Sequence, residues 1–316
     1  MKHTIRLFIG IVLFSNLFTF VYASAPMVQT QVPGFYRTHV GKFEVTALSD
    51  GTSELDAKLL KNIQTEKLKH SLSDMFVQYP NMQTAVNAYL VNTGDHLVLI
   101  DAGAGNLLGQ ALGRILDNLK AAGYTAEQVD TVLLTHLHAD HAGGLIDTNG
   151  HPVFPKAEIL VAKKENSYWL SKQTSDHASA ELKPFFAMAS HIAAPYIANK
   201  KWTTFTANTV VVPGIKAVSI VGHTPGHSAY EIESDGQKLL VWGDIVHSHA
   251  VQFDKPSVAF AFDADAQQAV STRLKLMQSL ATSRSLVAGA HLPFPGIGHI
   301  NAKGNETFQW VPVEFH

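Results

Sequence analysis

The segment TVLLTHLHADHAGGL, residues 131–145, places three histidines and one aspartate within six residues, between an apolar run and two glycines. Alternate side chains of an extended chain point to the same side, so His136 and His138 can face one site from a strand end. Asp140 and His141 follow, just before a Gly-Gly pair that permits a sharp turn into a helix. Four nitrogen and oxygen ligands so close together exceed the needs of one tetrahedral ion that keeps an open position. The motif therefore predicts two metal ions that share one site.

Three further polar residues lie where apolar, strand-like runs end. His223 follows IKAVSIVG, Asp244 ends KLLVWGD, and His291 follows SLVAGA. In open α/β sheets the carboxyl ends of strands gather functional groups at one edge, so we expect these side chains to join the cluster. A carboxylate between two cations is a simple bridge, and Asp244 is the candidate for that position.

Composition limits which other sites the chain can form. The 316 residues include 17 histidines and no cysteine, so a metal must be held by imidazole and carboxylate groups. The formal net charge is −2, which provides no general basic field for nucleic acid or an anionic membrane. The hydrophobic fraction of 46% allows a large core in one or two domains. We therefore expect no nucleic-acid partner.

The first residues have the pattern of a secretory signal. Lys2 and Arg6 give a positive start, residues 7–21 are mostly apolar, and residues 23–25 read Ala-Ser-Ala. The alternative is an uncleaved membrane anchor, but the apolar stretch is shorter than the roughly 20 residues that span a bilayer. We predict a signal peptide over residues 1–25, a periplasmic or secreted protein, and no stable membrane insertion after signal removal.

Strand-like and helix-like patterns alternate along the rest of the chain, which predicts an α/β fold. YLVNTGDHLVLIDAG, residues 89–103, and YEIESDGQKLLVWGD, residues 230–244, both run from a tyrosine through a polar turn into an apolar strand. This echo indicates two similar halves, although a generic hairpin would give the same pattern. Helical periodicity predicts one helix over 106–123, with Leu108 on its apolar stripe, and a last long helix over 264–281.

The order His-x-His-x-Asp-His, followed by His, Asp and His, resembles the metallo-β-lactamase fold superfamily over roughly residues 35–300. The resemblance implies a four-layer αββα sandwich of two similar halves, forming a hydrolase domain over residues 26–316. It implies that one ion is held by His136, His138 and His223, that the other is held by Asp140, His141 and His291, and that Asp244 bridges them. The implied cofactor is a pair of divalent ions, zinc first, with iron, manganese or cobalt as alternatives.

The family chemistry implies roles for several of these residues. Two divalent cations lower the pKa of a bridging water and polarise the substrate oxygen, so a metal-bridging hydroxide is the expected nucleophile. Asp140 is the expected catalytic residue, because it can orient that hydroxide and relay a proton. Asp101 and His227 are candidates for fixing ligand imidazoles by hydrogen bonds, with a plain structural role as the alternative. Three further histidines have no assigned role, namely His247, His249 and His299.

Longer segments resemble the methyl parathion hydrolase branch, close to the lactone hydrolases, among them PGFYRTHVGKFEVTALSDG, VQFDKPSV and FPGIGHI. That branch implies secretion, a dinuclear site, a homodimer, and hydrolysis of aryl phosphotriesters or lactones. Asp244 argues against a zinc β-lactamase, because those enzymes generally lack a bridging aspartate there. Export argues against a thioesterase acting on glutathione thioesters. A non-catalytic metal-binding or sensor protein on the same fold stays open as the alternative.

The region 165–202 is rich in aromatic residues and is the expected substrate wall. By the resemblance, an aromatic cluster at the cavity entrance contains Trp169 and one residue of the pair Phe185 and Phe186. The alternative is that these aromatics are the core of two helices. Leu108 stands where the resembled phosphotriesterase has an aromatic residue, which leaves room for an acyl chain or a lactone ring. We therefore predict a secreted dinuclear hydrolase of hydrophobic lactones, esters or phosphotriesters.

Overall fold

The computed structural model describes residues 25–28 and 31–314 of the chain. Apart from its last residue, the predicted signal peptide over 1–25 lies outside these described residues. Pro33–His316 form one compact unit. Within the described residues, no helix combines the length and the apolar character needed to cross a membrane.

Strands and helices follow one another through this unit. In chain order the strands are β1 Phe35–Val40, β2 Phe43–Asp56, β3 Leu60–Lys61, β4 Asn81–Asn92, β5 Leu97–Ile100, β6 Thr131–Leu133, β7 Glu158–Ala162, β8 Trp202–Phe205, β9 Val210–Val212, β10 Ile215–Ser219, β11 Ser228–Ser234, β12 Gln237–Val241, β13 Ala259–Phe260, β14 Leu286–Ala288, β15 Ile297–Gly304 and β16 Thr307–Pro312. The helices are α1 Thr65–Asp74, α2 Ile115–Ala121, α3 Ala139–Ala142, α4 Lys163–Trp169, α5 Lys172–His177, α6 Lys183–Ala198, α7 His249–Gln252 and α8 Ala266–Ser283. The last of these confirms the long helix predicted over 264–281.

The larger strands form two sheets. The first has the order β1-β2-β4-β5-β6-β7-β8 and the second has the order β16-β15-β14-β12-β11-β10-β9. Pairing is parallel from β5 through β8 and again between β12 and β14, and antiparallel elsewhere in both sheets. Parallel neighbours need long crossover connections, and helices supply them here. All the predicted ligands except His223, which follows the antiparallel strand β10, come after one of these parallel strands.

The strand pattern explains how the layers stack. Successive side chains of β4 alternate between two faces, as they do in any strand. Tyr89 and Val91 enter the apolar cluster between the two sheets, whereas Ala88 and Leu90 enter the cluster beneath the helices of the first half. The outer face of the second sheet is covered by α8, through Met277 among others. The predicted α/β four-layer αββα sandwich is therefore confirmed.

The two echoing segments occupy equivalent places in the two sheets. Residues 89–103 contain the β4–β5 hairpin and residues 230–244 contain the β11–β12 hairpin. Both leading tyrosines are buried in the core between the sheets, and Tyr230 pairs with Val241 as Tyr89 pairs with Ile100. The sequence echo thus corresponds to one matching hairpin in each half.

The helix predicted over 106–123 is wrong in its first half. The helix covers only Ile115–Ala121, and the preceding residues form turns. Gly113 has φ of 87°, and a Cβ atom there would lie 2.3 Å from the carbonyl oxygen of Gly105. That backbone conformation and that close approach favour glycine and interrupt a helix. The turn carries Leu108 to the protein surface, where its side chain is 46% exposed.

Candidate metal centre

The histidine-rich motif lies between β6 and a very short helix. The turn after β6 and the helix α3 carry four of the predicted ligands, His136, His138, Asp140 and His141. The turn packs closely against the segment after β5, because the backbone N–H of Ala102 donates to the carbonyl of His141. At Gly144 a Cβ atom would lie 2.0 Å from the carbonyl oxygen of Ala102. The Gly-Gly pair is therefore required by close packing of two backbones.

The remaining predicted ligands come from the second sheet. His223 follows β10, Asp244 follows β12 and His291 follows β14. Face-to-face packing of the sheets brings these strand ends next to the motif. Nε2 of His223 lies 3.1 Å from Nδ1 of His138, and Oδ1 of Asp244 lies 3.0 Å from Nε2 of His141. One cluster thus contains side chains from both halves.

Two sets of side chains match the groups that the resemblance implied, and a third set, Asp244, His247 and His291, also lies close enough together to hold an ion. Ligand atoms lie within 4.8 Å of one another in each group, one consisting of His136, His138, His223 and Asp244 and the other of Asp140, His141 and His291. Asp244 also reaches the second group, because its Oδ1 lies 3.0 Å from His141 while its Oδ2 lies 3.3 Å from His223. Its carboxylate lies between the groups, as a bridging ligand requires.

Chemistry and burial in this cluster fit divalent cations. His141 Nε2 and Asp244 Oδ1 are buried and, apart from their 3.0 Å ion-pair approach to each other, have no polar partner that meets hydrogen-bond geometry within the described part of the chain. Nε2 of His136 and Nδ1 of His138 converge to 3.0 Å, so both ring nitrogens point at one place. Imidazole and carboxylate ligands without thiolates suit zinc and related first-row divalent ions. The residues present therefore fit the two-ion cofactor that the family implies.

The electrostatics keep both carboxylates ionised but divide the histidines. Burial opposes the charged form of His141, His223 and His291, and the nearby carboxylates nevertheless raise the pKa of each. Burial opposes ionisation of Asp244, but the charges of His141 and His291 outweigh it and hold the pKa of Asp244 well below its ordinary value. Burial also opposes ionisation of Asp140, but the opposing charges, that of His141 first, outweigh it and lower the pKa of Asp140. Burial lowers the pKa of His138 to about 3, and the nearby His223 adds to this. Ionised carboxylates and neutral imidazoles are the forms that coordinate metals.

Three ligand imidazoles are held by hydrogen bonds from their Nδ1 atoms. The pairs are His141 with Asp101 (2.8 Å), His223 with Asp263 (2.9 Å) and His291 with the carbonyl of Ala85 (2.8 Å). Such bonds fix the tautomer and leave Nε2 available as the ligand atom. Asp101 lies where it was expected to act, and Thr135 donates to it from both its backbone and its hydroxyl. Asp263 and Ala85 had not been identified from the sequence.

His227 has a different role from the one expected. It is fully buried, and its Nε2 accepts the backbone N–H of Asp244 at 3.2 Å rather than bonding to a ligand imidazole. Burial holds the pKa of His227 well below its ordinary value, so the ring stays neutral and can accept this bond. Gly243 leaves space for the ring, because a Cβ atom there would lie 2.5 Å from Nε2 of His227. His227 therefore positions the backbone of the bridging aspartate.

An apolar cavity of about 290 Å³ opens onto the cluster. Six polar residues line its floor, His138, Asp140, His223, Asp244, His247 and His291. The walls include Leu108, Leu112, Phe185, Met188, Phe260 and Phe262. Apolar walls around a few converging polar groups are typical of small-molecule sites. Leu108 and Phe185 thus lie on the cavity wall, where the sequence had placed them.

Trp169 and Phe186 do not line this cavity, which corrects the expected aromatic entrance. Their side chains are 3% and 1% exposed and belong to the core between the first sheet and its helices. Trp169 lies behind a ligand, with its ring centroid 5.4 Å from that of His138 and its Nε1 donating to Glu165. Packing of α4 and α6 on the sheet rotates these two rings inward and turns only Phe185 toward the cavity.

The three unassigned histidines lie in different surroundings. His247 reaches the cavity, with its Nε2 3.1 Å from Oδ2 of Asp244 and its ring stacked on Phe260 at a centroid distance of 3.9 Å. His249 begins α7, and His299 lies in β15 with its Nδ1 3.1 Å from the carbonyl of Arg284. Of these three histidines, only His247 lines the cavity floor with the candidate ligands. Its position three residues after Asp244 in the sequence did not reveal this.

Solved structures of similar proteins share this architecture. The crystal structure of hydrolase AbOPH in beta lactamase superfamily is 40% identical, covers 91% of this chain and 100% of its own, and superposes with a TM-score of 0.87. AidC is a dizinc quorum-quenching lactonase solved in complex with a product, N-hexanoyl-L-homoserine. It is 29% identical, with coverage of 90% of this chain and 98% of its own and a TM-score of 0.82.

Sequence comparisons identify the same family. An N-acyl homoserine lactonase from Bacillus sp is 28% identical over 180 residues, which are 56% of this chain and 62% of that protein. This chain therefore spans less than two thirds of that relative's length. A family model described as the metallo-beta-lactamase superfamily matches residues 82–289, a range that contains every predicted ligand except His291. The chain belongs to the metallo-beta-lactamase superfamily.

Proposed function

We propose that the protein is an exported, dinuclear metal-dependent hydrolase that prefers hydrophobic lactones and carboxylic esters and acts more weakly on aryl phosphotriesters. The observation that carries this proposal is the convergence of seven candidate ligand side chains in one cluster, five of which line the floor of an apolar cavity. The lactonases among the similar proteins support the choice of a lactone. Zinc is the proposed ion, with iron, manganese and cobalt as alternatives.

The chain's own residues supply distinct parts of this activity. When bound, two divalent cations would lower the pKa of a water and polarise the substrate oxygen. Asp140 faces the cavity, and its Oδ2 lies 3.5 Å from the Nε2 atoms of both His141 and His291. Its low pKa keeps it ionised, so it can accept a hydrogen bond from the attacking water and orient it. The hydrogen bonds between His141 and Asp101 and between His223 and Asp263 hold each of these histidines in one tautomer.

The cavity lining supports an uncharged substrate. Among the described residues that line it, there is no lysine and no arginine to pair with an anionic group. Leu108, Phe185 and Phe262 instead offer apolar surface to an acyl chain or a ring. Burying such a substrate would also exclude water from around the polarised bond, which strengthens electrostatic interactions there.

A direct test combines metal content with turnover. Elemental analysis of purified protein should be paired with hydrolysis of a lactone, a chromogenic carboxylic ester and an aryl phosphotriester. Two bound ions together with turnover of the lactone or the ester would support the proposed dinuclear hydrolase. Bound metal without turnover of any substrate class would favour the alternative, a metal-binding or sensor protein on the same fold.

We further propose a signal peptide over residues 1–25, a hydrolase domain over 26–316 and a periplasmic or secreted location. The charged start, the short apolar run and the Ala-Ser-Ala segment support export. We also propose a homodimer, which the methyl parathion hydrolase resemblance supports. Light scattering on the purified mature protein measures its mass directly, and a monomer at all concentrations would contradict the dimer.

A further inference from the structure

Glu165 is a fully buried carboxylate in the first turn of α4, and it lines neither the metal cluster nor the cavity. Its two oxygens accept four hydrogen bonds. Oε1 accepts from the backbone N–H of Leu137 (3.0 Å) and from Nε1 of Trp169 (2.7 Å), and Oε2 accepts from the hydroxyl of Thr224 (2.7 Å) and the backbone N–H of Gly226 (2.9 Å). No cation is among these partners, so only hydrogen bonds oppose the burial that raises the pKa of Glu165.

Three of the four donors belong to the ligand-bearing loops of the two halves, and the fourth, Trp169, lies on α4 itself. Leu137 lies between His136 and His138 in the first half, and Thr224 directly follows His223 in the second. Oε1 of Glu165 is therefore bonded to the first loop and Oε2 to the second. One carboxylate connects the two loops whose histidines form the first ligand group.

The contact on the second loop is tight. At Gly226 a Cβ atom would lie 2.1 Å from the backbone nitrogen of Glu165, so no side chain fits there without movement. Every partner of the carboxylate is a donor, and glutamine could not replace it without turning an N–H₂ group toward one of these donors. A buried polar group left unsatisfied in that way is unfavourable, and the loops would shift to relieve it.

We propose that Glu165 is a positioning residue that sets the separation of the His136–His138 loop and the His223 loop, and through it the affinity of the first ligand group for its metal. This inference rests on the proposed metal site. Hydrogen-bonded partners of metal ligands typically change affinity by about 10–100-fold when they are removed. Glu165 acts on two loops at once, so we expect an effect within that range from its replacement.

The test measures cobalt(II) binding to metal-free protein, without reference to turnover. Cobalt(II) alone is titrated against a competing chelator, and its visible absorption reports the geometry of the ligands. Glu165→Gln should bind one of two equivalents about 10–100-fold more weakly and with an altered spectrum. Thr224→Val removes one donor only and should shift affinity in the same direction by a smaller factor.

The matched control is Asn118→Ala. Asn118 is also buried and hydrogen-bonded, but its partners are the N–H of Gly34 and the carbonyl of Ser49, away from both ligand loops. The Asn118→Ala substitution should lower the unfolding temperature of the metal-free protein and leave its cobalt affinity and the cobalt spectrum unchanged. This control separates general loss of stability from a displaced ligand.

The outcomes distinguish the two proposals. Wild-type affinity and spectrum in both Glu165→Gln and Thr224→Val would overturn the positioning role while leaving the proposed function intact. If Glu165→Gln does not fold, the result for Thr224→Val decides alone. Wild-type protein that binds no cobalt would instead defeat the proposed function, and the positioning role with it.

Discussion

Asp263 connects the candidate metal ligand His223 to the wall of the cavity. Its Oδ1 accepts a hydrogen bond from Nδ1 of His223 at 2.9 Å, and its Oδ2 accepts the backbone N–H of Phe260 at 2.8 Å. Burial alone would lower the pKa of His223, but the hydrogen bonds to Asp244 and Asp263 raise it to about 9. One carboxylate therefore orients a ligand and holds the strand that carries a cavity aromatic.

Asp263→Ala should weaken binding at the first ligand group by about 10–100-fold, because His223 loses the bond that fixes its tautomer. Asp263→Asn keeps one acceptor and should have a smaller effect. Zinc affinity from chelator competition measures both. The exposed Asp235→Asn, which lies outside the site, serves as the control. Wild-type affinity in Asp263→Ala would contradict this role.

Metal removal should abolish hydrolysis and lower the unfolding temperature together. The cluster offers seven ligands to two ions, so two equivalents are expected per chain. Free metal at 100 times its dissociation constant stabilises a folded protein by about 2.7 kcal/mol per site. Elemental analysis, calorimetry with and without chelator, and restoration by added zinc provide the measurements. A single ion in fully active protein would refute the two-ion site.

Asp244→Ala and Trp169→Ala should fail in different ways. Asp244 lies between the ligand groups, so its loss should remove metal and reduce the turnover number more completely. Trp169 is a core residue, and truncating a buried tryptophan costs about 3–5 kcal/mol of unfolding free energy. Urea unfolding and the rate at saturating substrate measure the two effects. Equal losses of turnover in the two variants, or unchanged stability in Trp169→Ala, would contradict this assignment.

Leu108→Phe should shift selectivity from the lactone toward the aryl phosphotriester. Leu108 is 46% exposed on the cavity wall, where an aromatic ring would add a stacking surface for an aryl leaving group. A change in an apolar wall alters discrimination by only about 10–200-fold, so both activities should stay measurable. The ratio of the two kcat/KM values is the readout.

The control for that change is Leu116→Phe. Leu116 is 42% exposed but lies on α2 and does not line the cavity, so its replacement should leave the ratio unchanged. A wild-type preference for the phosphotriester that Leu108→Phe does not move would refute the idea.

Export should remove the first 23 to 25 residues in the native host. The reason is the positive start followed by an apolar run too short for a stable bilayer span. N-terminal sequencing and mass spectrometry of protein from the periplasm or medium measure the cleavage point. Recovery of cytosolic protein that still begins at Met1 would rule this out.

Local sequence was sufficient to single out the side chains that converge in the cluster and to predict an α/β fold, whereas the four-layer sandwich came from the family resemblance. Strand periodicity places His136 and His138 at a strand end, and the adjacent glycines mark a close backbone approach. His223, Asp244 and His291 were recognisable because each ends an apolar run, which is a short-range signal. The glycines at 109 and 113 also carried a signal that should have shortened the helix predicted over 106–123.

Tertiary packing alone decided which residues surround the ligands. Asp263 is 40 positions from His223, and Ala85 is 206 from His291, so no local pattern connects either pair. Periodicity puts Phe185 and Phe186 on one helix but does not give the rotation of that helix against the sheet. That rotation sends one ring to the cavity and the other to the core.

Glu165 illustrates the same division between sequence and structure. In the sequence it is one acidic residue in the first turn of a helix, where a solvated carboxylate is ordinary. Trp169 is a partner four residues along the same helix, but the other three donors reach Glu165 only when loops from both halves close around it. Covalent sequence determines which groups can coordinate or donate, because that is a property of residue type and short-range geometry. Which groups become partners depends on contacts between distant segments, and those form only when the two sheets pack.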